Sequence, residues 1–111
     1  MVVEYIRYTI PAERAAAFEQ AYADAAKVLT DDKHCLNYEV SRGVEEPEHY
    51  TVRIVWDSVE GHEQGFRRSA AFPAFFAAVK PFFAQIDEMK HYDVRDASHD
   101  GGTGTRDTDR A

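Results

Sequence analysis

The chain has 111 residues, a length that fits one domain with a single hydrophobic core. Apolar residues make up 44% of it and aromatic residues 13%, as in a folded domain. Its 20 acidic and 13 basic residues give a net charge of −7, which disfavours binding to nucleic acid or to an anionic membrane surface. No apolar run approaches the roughly 20 residues that span a bilayer, and no signal-peptide pattern opens the chain. The single cysteine excludes an intramolecular disulfide, and we expect a cytoplasmic protein.

The composition changes abruptly after Val94. Residues 95–111 contain no Val, Ile, Leu, Met, Phe, Tyr or Trp and consist mostly of Asp, Arg, Thr and Gly. Such a stretch buries too little apolar surface to offset the entropy lost on ordering it. The sequence therefore predicts a folded domain over residues 1–94 and a disordered polar tail over residues 95–111, which docking on a partner chain could order.

The first half of the chain alternates between strand and helix patterns. Residues 2–10 are rich in β-branched and aromatic side chains, which is typical of a strand. Residues 12–29 are predicted to form a helix, because apolar residues recur at the spacing of one helix face. These are Phe18, Tyr22, Ala25 and Leu29. Two further strands are predicted over residues 34–42 and 49–56, where apolar side chains alternate.

The second half predicts a short helix, with Asp57 or Ser58 as its cap. One face of that helix carries Val59, His62 and Phe66. A second apolar stripe covers residues 72–83 and should end or kink at Pro81, and a last strand covers residues 86–94. The order β-α-β-β-(short α)-α-β predicts an α+β, ferredoxin-like split βαβ fold. In it, helices cover one face of a four-stranded antiparallel sheet.

The two faces of the predicted sheet differ in polarity. Simple alternation assigns Leu36 and Tyr38 to the face that the helices cover. The opposite face mixes charged, polar and aromatic side chains, namely Tyr5, Arg7, Cys35, Asn37, Glu39, Thr51, Arg53, Val55, Met89 and His91. Such a face suits packing against a second sheet, so we predict a homodimer in which the charges of this mixed face pair across the junction. The alternative is a half-solvated sheet, which antiparallel sheets tolerate.

The five histidines do not follow a metal-binding pattern, since no HxH, HxxxH or HExxH motif occurs, and no metal site is predicted. No GxGxxG or P-loop motif is present, and Gly61 and Gly65, which flank His62, are too close together for a phosphate loop. Cys35 is interpreted as a small buried hydrophobe.

The pattern that does indicate chemistry is the density of aromatic residues after Trp56, the only tryptophan. Core packing alone explains most of these phenylalanines. Trp56 and His62 differ from them, because each carries an N–H that needs a partner when buried. A Trp and a His at the mouth of an aromatic-lined cavity would suit a flat aromatic ligand, offering stacking area and a group that moves protons near neutral pH.

The segment from Trp56 to His62, continuing to Phe66, Ser69, Phe72 and Phe76, resembles the strand, W-[DE]-S, helix, S-x-x-F stretch of the antibiotic biosynthesis monooxygenase family. The resemblance covers residues 2–94 and includes the Cys35-Leu36 pair after the first helix. It implies a ferredoxin-like fold that pairs into a dimeric α+β barrel. The same barrel hosts cofactor-free quinol and anthrone oxygenases, heme-degrading oxygenases, and members without known activity.

Two branches of this family can be compared residue by residue. The heme-degrading members share an Asn on the first strand, a Trp on the short helix and an iron-ligating His on the long helix, where this chain has Ile6, Phe66 and Phe76. In the polyketide-tailoring branch, the strand Trp is matched by Trp56, whereas an Asn and a Tyr are replaced by Val52 and His62.

The resulting hypothesis is a cofactor-independent monooxygenase that oxidises a small electron-rich aromatic (a quinol, phenol or anthrone-like compound) with O2. It assigns His62 as the base and Trp56 as a donor or stacking wall. The substrate-lining residues would be Tyr8, Tyr38, Phe66, Phe72 and Phe76. The alternatives are a non-catalytic dimer that binds a small molecule or is associated with stress, and a heme-binding or heme-degrading protein.

Overall fold

Four strands and two α-helices form the framework of the computed structural model, which describes residues 1–96. Most of the predicted tail, residues 97–111, lies outside the described residues. In chain order the elements are β1 (Val2–Thr9), α1 (Ala15–Thr30), β2 (Cys35–Arg42), β3 (His49–Trp56), α2 (Phe72–Val79) and β4 (Ile86–Asp93). Short 3-10 turns cover Ala12–Arg14, Phe66–Arg68 and Lys80–Gln85, and a π-helix covers Gly61–Gly65.

The strands form one sheet in the order β2-β3-β1-β4, and every neighbouring pair is antiparallel. The predicted α+β ferredoxin-like fold with a four-stranded antiparallel sheet is thus confirmed. β1 lies in the interior of the sheet, where Glu4 is paired with Ile54 of β3 on one side and with His91 of β4 on the other. Directly opposed residues of antiparallel strands share a face, so these three side chains lie on the same side of the sheet.

The helices cover that side of the sheet. All four residues of the predicted α1 stripe are buried, in a core with apolar residues of β1 and β3. α2 contributes Val79 and ends there, two residues before Pro81, which lacks the N–H needed to continue the helix. The chain then continues as a 3-10 turn that buries Phe82.

A register shift between Cys35 and Asn37 corrects the predicted alternation of β2. Strict alternation placed Leu36 on the helix side and Cys35 on the opposite face, but Leu36 is 54% exposed and Cys35 packs against the core. An extra residue in one strand reverses the faces of the residues around it, which explains the error.

A second register shift, in the pairing of β1 with β4, corrects the prediction for Met89 and His91. Ile86 packs against the core opposite Tyr8, but the next core-side position is Met89, opposite Ile6. Because two residues instead of one separate these positions, Met89 and His91 lie on the helix side and not on the mixed face. The mixed face is therefore defined here by Tyr5, Arg7, Asn37, Glu39, Thr51, Arg53, Glu88, Lys90 and Tyr92, and is called the open sheet face.

Candidate functional site

A cavity of about 700 Å³ lies between the helix side of β1, β3 and β4 and the segment that contains α2. Most of its wall is apolar and aromatic, and its charged or ionisable side chains include Glu4, His62 and Arg67. A volume of this size accommodates a small multi-ring molecule.

The structure brings six of the seven predicted site residues to this cavity. They are Tyr8, Trp56, His62, Phe66, Phe72 and Phe76. Tyr38 is the exception and corrects the prediction: it lines a separate cleft with Glu19 and Tyr50. β2, which carries Tyr38, is the edge strand on the side of the sheet away from β4, and the strand residues that line the cavity come from β3, β1 and β4.

The π-helix Gly61–Gly65 positions His62. Ser58 caps its entry as predicted, since the Gly61 N–H donates to the Ser58 hydroxyl over 2.8 Å. The wider turn of a π-helix changes the direction of the side chains relative to an α-helix. Val59 is 40% exposed and Phe66 is buried, so the two do not share one face as predicted. His62 itself is only 4% exposed.

The imidazole of His62 stacks on the indole of Trp56. The two ring centroids are 4.4 Å apart and the ring planes differ by 10°. Phe66 lies on the same indole with its centroid 5.3 Å away. Trp56 is fully buried at the end of β3, so it forms a fixed aromatic floor under the histidine.

Glu4 is a site residue that the sequence analysis did not identify. Its side chain is buried, with 2% exposure for the residue, and its Oε1 accepts a hydrogen bond from Nε1–H of Trp56 over 3.0 Å. Within residues 1–96, no protein group donates a hydrogen bond to its second oxygen, Oε2. Burial raises the pKa of the Glu4 carboxyl, and the Trp56 hydrogen bond opposes that rise. The available signal was an acid in the core-facing row of β1, between Val2 and Ile6.

His62 also contacts His91, which lies on β4 on the helix side of the sheet. Nδ1 of His62 and Nε2 of His91 are 2.7 Å apart, so one ring donates an N–H to the other. Nε2 of His62 lies 3.7 Å from Oε1 of Glu4. Burial, with the charge of Arg67 and the nearby His91, lowers the pKa of His62 to about 3, so its ring is neutral at physiological pH.

Glu4, His62 and His91 form a compact group that is called the Glu4–His62–His91 cluster below. Each residue offers one atom that can ligate a metal, and these atoms lie within 4.8 Å of one another. The cluster therefore combines two properties: it can exchange a proton with a ligand in the cavity, and it has the donor atoms of a cation site.

The protein is a small α+β protein with a four-stranded ferredoxin-like sheet and an aromatic cavity under its helices. Comparison with known proteins identifies its family within this class. Residues 1–78 match the model of the antibiotic biosynthesis monooxygenase family. The chain belongs to this family, which confirms the resemblance found in the sequence.

The chain is also similar to individual known proteins. The uncharacterized protein YczJ of Bacillus subtilis is 27% identical over 75 residues, which cover 68% of this chain and 79% of that protein. A Bordetella bronchiseptica protein assigned as an antibiotic biosynthesis monooxygenase superposes with a TM-score of 0.73 at 26% identity, over 85% of this chain and 96% of that one. SnoaB of Streptomyces nogalater, a cofactor-independent oxygenase, superposes with a TM-score of 0.70 at 21% identity, over 87% and 95% of the two chains.

None of the helices within residues 1–96 is long and apolar enough to cross a membrane.

Proposed function

We propose that this protein is a monooxygenase that needs no cofactor and oxidises a small electron-rich aromatic with O2. The observation that carries the proposal is the cavity of about 700 Å³, in which the buried side chains of Glu4 and His62, together with Arg67, lie in a mostly apolar and aromatic wall. Membership of the antibiotic biosynthesis monooxygenase family supports it, as does the fold shared with a cofactor-independent oxygenase.

The reaction requires a base and a dry cavity. A phenol or anthrone-like substrate loses a proton, and the resulting anion transfers an electron to O2. The two radicals combine to form a C–O bond, and loss of water from the hydroperoxide leaves a quinone-type carbonyl. One O2 is consumed, one oxygen atom enters the product and the other leaves as water.

His62 is the proposed base. Because its pKa is lowered to about 3, the neutral ring is a weak base, and the transfer depends on the Glu4 carboxylate, 3.7 Å from Nε2, to stabilise the imidazolium as it forms. In the tautomer in which Nδ1–H donates to His91, Nε2 carries the lone pair that accepts the substrate proton. Oε2 of Glu4, to which no group within residues 1–96 donates, accepts a hydrogen bond from a substrate hydroxyl. Because the N–H of Trp56 is already engaged with Glu4, Trp56 serves as the stacking wall and not as a donor to the substrate.

Oxygen consumption with a panel of hydroquinones, phenols and anthrones tests the proposal, in EDTA to exclude metal catalysis. We expect turnover in air and none under argon, and about a 10²- to 10⁴-fold lower rate in His62→Ala. His49→Ala is the control, because His49 lies on the surface beside Glu46 and should leave the rate unchanged. Binding of the aromatics without any oxygen consumption would contradict the proposal and support a non-catalytic binding protein.

The open sheet face supports a homodimer, the assembly typical of this family. On one chain, Glu88 pairs with Arg7 over 3.1 Å and with Lys90 over 3.0 Å, and Tyr5 packs edge-on against Tyr92. Such a mixture of paired charges and aromatic rings suits a second copy of the same face.

Light scattering at micromolar concentration tests this assembly. We expect the mass of a dimer for the wild type and a shift towards monomer for Arg7→Glu, which places an acid beside Glu88. Lys27→Glu makes the same charge change on the exposed surface of α1 and should leave the dimer intact. A monomeric wild type would refute the assembly.

A further inference from the structure

We propose that Glu4, His62 and His91 bind one divalent transition-metal cation, such as Zn²⁺ or Co²⁺, beside the cavity that Glu4 and His62 line. We further propose that the bound cation blocks the oxygenase reaction, because it occupies the imidazole nitrogens that proton transfer needs. The blocking of turnover rests on the proposed function, whereas the binding does not.

The fold brings three ligands together from three elements. Glu4 and His91 are directly paired neighbours on β1 and β4, and the π-helix places His62 over them. Ligand atoms about 2.0–2.2 Å from one cation lie roughly 3–3.6 Å from each other. One ligating atom from each of the three residues lies within 4.8 Å of the others, so the cluster is somewhat wider than that spacing. His62 can give only one of its two ring nitrogens to the cation, since Nδ1 lies 2.7 Å from Nε2 of His91 and Nε2 lies 3.7 Å from Oε1 of Glu4. The side chains must therefore draw together by about 1 Å to bind one cation.

The carboxylate supplies an independent reason for a positively charged ligand. Glu4 is 98% buried and lines the cavity, yet only the indole N–H of Trp56 donates to it among the described residues. A buried ionised carboxylate with one neutral donor is destabilised unless a positive charge or further donors approach it. A cation bound at Oε2 would provide that charge from within the cavity.

The donor set selects the class of metal. Two imidazoles and one carboxylate suit Zn²⁺, Co²⁺, Ni²⁺, Fe²⁺ and Cu²⁺, whereas Mg²⁺ and Ca²⁺ prefer oxygen ligands alone. Three protein ligands leave at least one coordination position open, and here it would face the cavity. Trp56 would orient the site from outside, through its hydrogen bond to Glu4 and its stacking on His62.

Titration of the EDTA-treated, dialysed protein with Co²⁺ tests the binding, by visible absorption and by calorimetry with Zn²⁺. We expect one cation per chain, with an affinity at least about tenfold lower in Glu4→Gln and in His91→Asn. The control His49→Ala removes a surface histidine that also lies beside a carboxylate, and should bind as the wild type does. Mg²⁺ should not compete.

Circular dichroism and urea unfolding of each metal-free variant establish that it is folded before its affinity is measured. If Glu4→Gln does not fold, His91→Asn decides the question, because His91 is only half-buried. The absence of stoichiometric Co²⁺ binding by the wild type, or wild-type affinity in the folded variants, would overturn the proposed site.

Turnover measurements separate this inference from the proposed function. We expect the metal-free protein to be active and one equivalent of Zn²⁺ to inhibit it. Activity that persists in a protein that binds no Co²⁺ would overturn the metal site alone. Activity that disappears in EDTA and returns with a metal would support binding at the cluster, but would overturn both the metal-independent reaction and the proposed inhibition.

Discussion

Replacement of Trp56 by Phe measures how strongly the hydrogen bond to the buried Glu4 carboxylate stabilises the fold. Trp56 is fully buried and donates to Oε1 over 3.0 Å. A hydrogen bond to a charged group contributes about 1.5–3 kcal/mol. The smaller side chain also leaves a void of about 40 Å³, which costs about 1 kcal/mol. We therefore expect Trp56→Phe to lower the free energy of unfolding by about 2.5–4 kcal/mol.

A double-mutant cycle with Glu4→Leu isolates the hydrogen bond from the lost volume. Each single variant leaves one buried polar group without its partner, whereas the double variant removes both groups. We expect the double variant to be about 2 kcal/mol more stable than the sum of the single effects predicts. Urea unfolding, in EDTA and at one fixed protein concentration, measures all four proteins. Additivity within about 0.5 kcal/mol would refute a net stabilising role for the bond, and His49→Ala combined with Trp56→Phe provides the additive control.

Tyr8 and Tyr22 share a buried hydroxyl–hydroxyl hydrogen bond of 2.6 Å. In urea unfolding, each single Tyr→Phe variant should lose about 1–2 kcal/mol of stability, and the double variant should lose less than the sum of the two single losses. Burial raises the pKa of the Cys35 thiol, which lowers its thiolate fraction at pH 8. Alkylation by iodoacetamide should therefore be slower in the folded protein than in urea. Equal rates in the two conditions would contradict this prediction. Removal of residues 95–111, which contain no aliphatic or aromatic core residue, should shift the melting temperature by less than about 5 °C in calorimetry.

The fold was predictable because its signals are local. The four-residue stripe of α1 and the alternation of β3 each identify an element without knowledge of the rest of the chain. β3 was predicted with its observed bounds, and α2 ended before Pro81. The two errors in strand alternation, at Leu36 and at Met89, both arise from register shifts. A shift depends on how a strand pairs with its neighbour, so the sequence of one strand does not reveal it.

The candidate site was predictable only in its aromatic part. The phenylalanines and Trp56 lie close together in the sequence, and most of them meet in the cavity. Glu4 and His91 lie on the first and last strands of the sheet in chain order and reach His62 only through strand pairing and the π-helix. Motif searches test ligand spacing along one element, so a cluster with one residue from each of three elements escapes them.

Gly65, one of the two glycines near His62, shows how a contact between residues far apart in the sequence can require a particular residue type. Gly65 has the backbone angles φ −88° and ψ −76°, so its conformation does not require glycine. The lack of space requires glycine instead. A methyl group at this position would lie 2.6 Å from Nε2 of His34 and closer still to its Cδ2. His34 is held in place by Asp57, whose carboxylate lies 2.8 Å from its Nδ1. We therefore expect Gly65→Ala to destabilise the protein by about 1–3 kcal/mol in urea unfolding. In a His34→Ala background the space is free, and the same change should be neutral or stabilise by up to about 1 kcal/mol, as Gly→Ala does where the backbone permits it. An equal loss in both backgrounds would show that the glycine serves the π-helix itself and not the contact with His34.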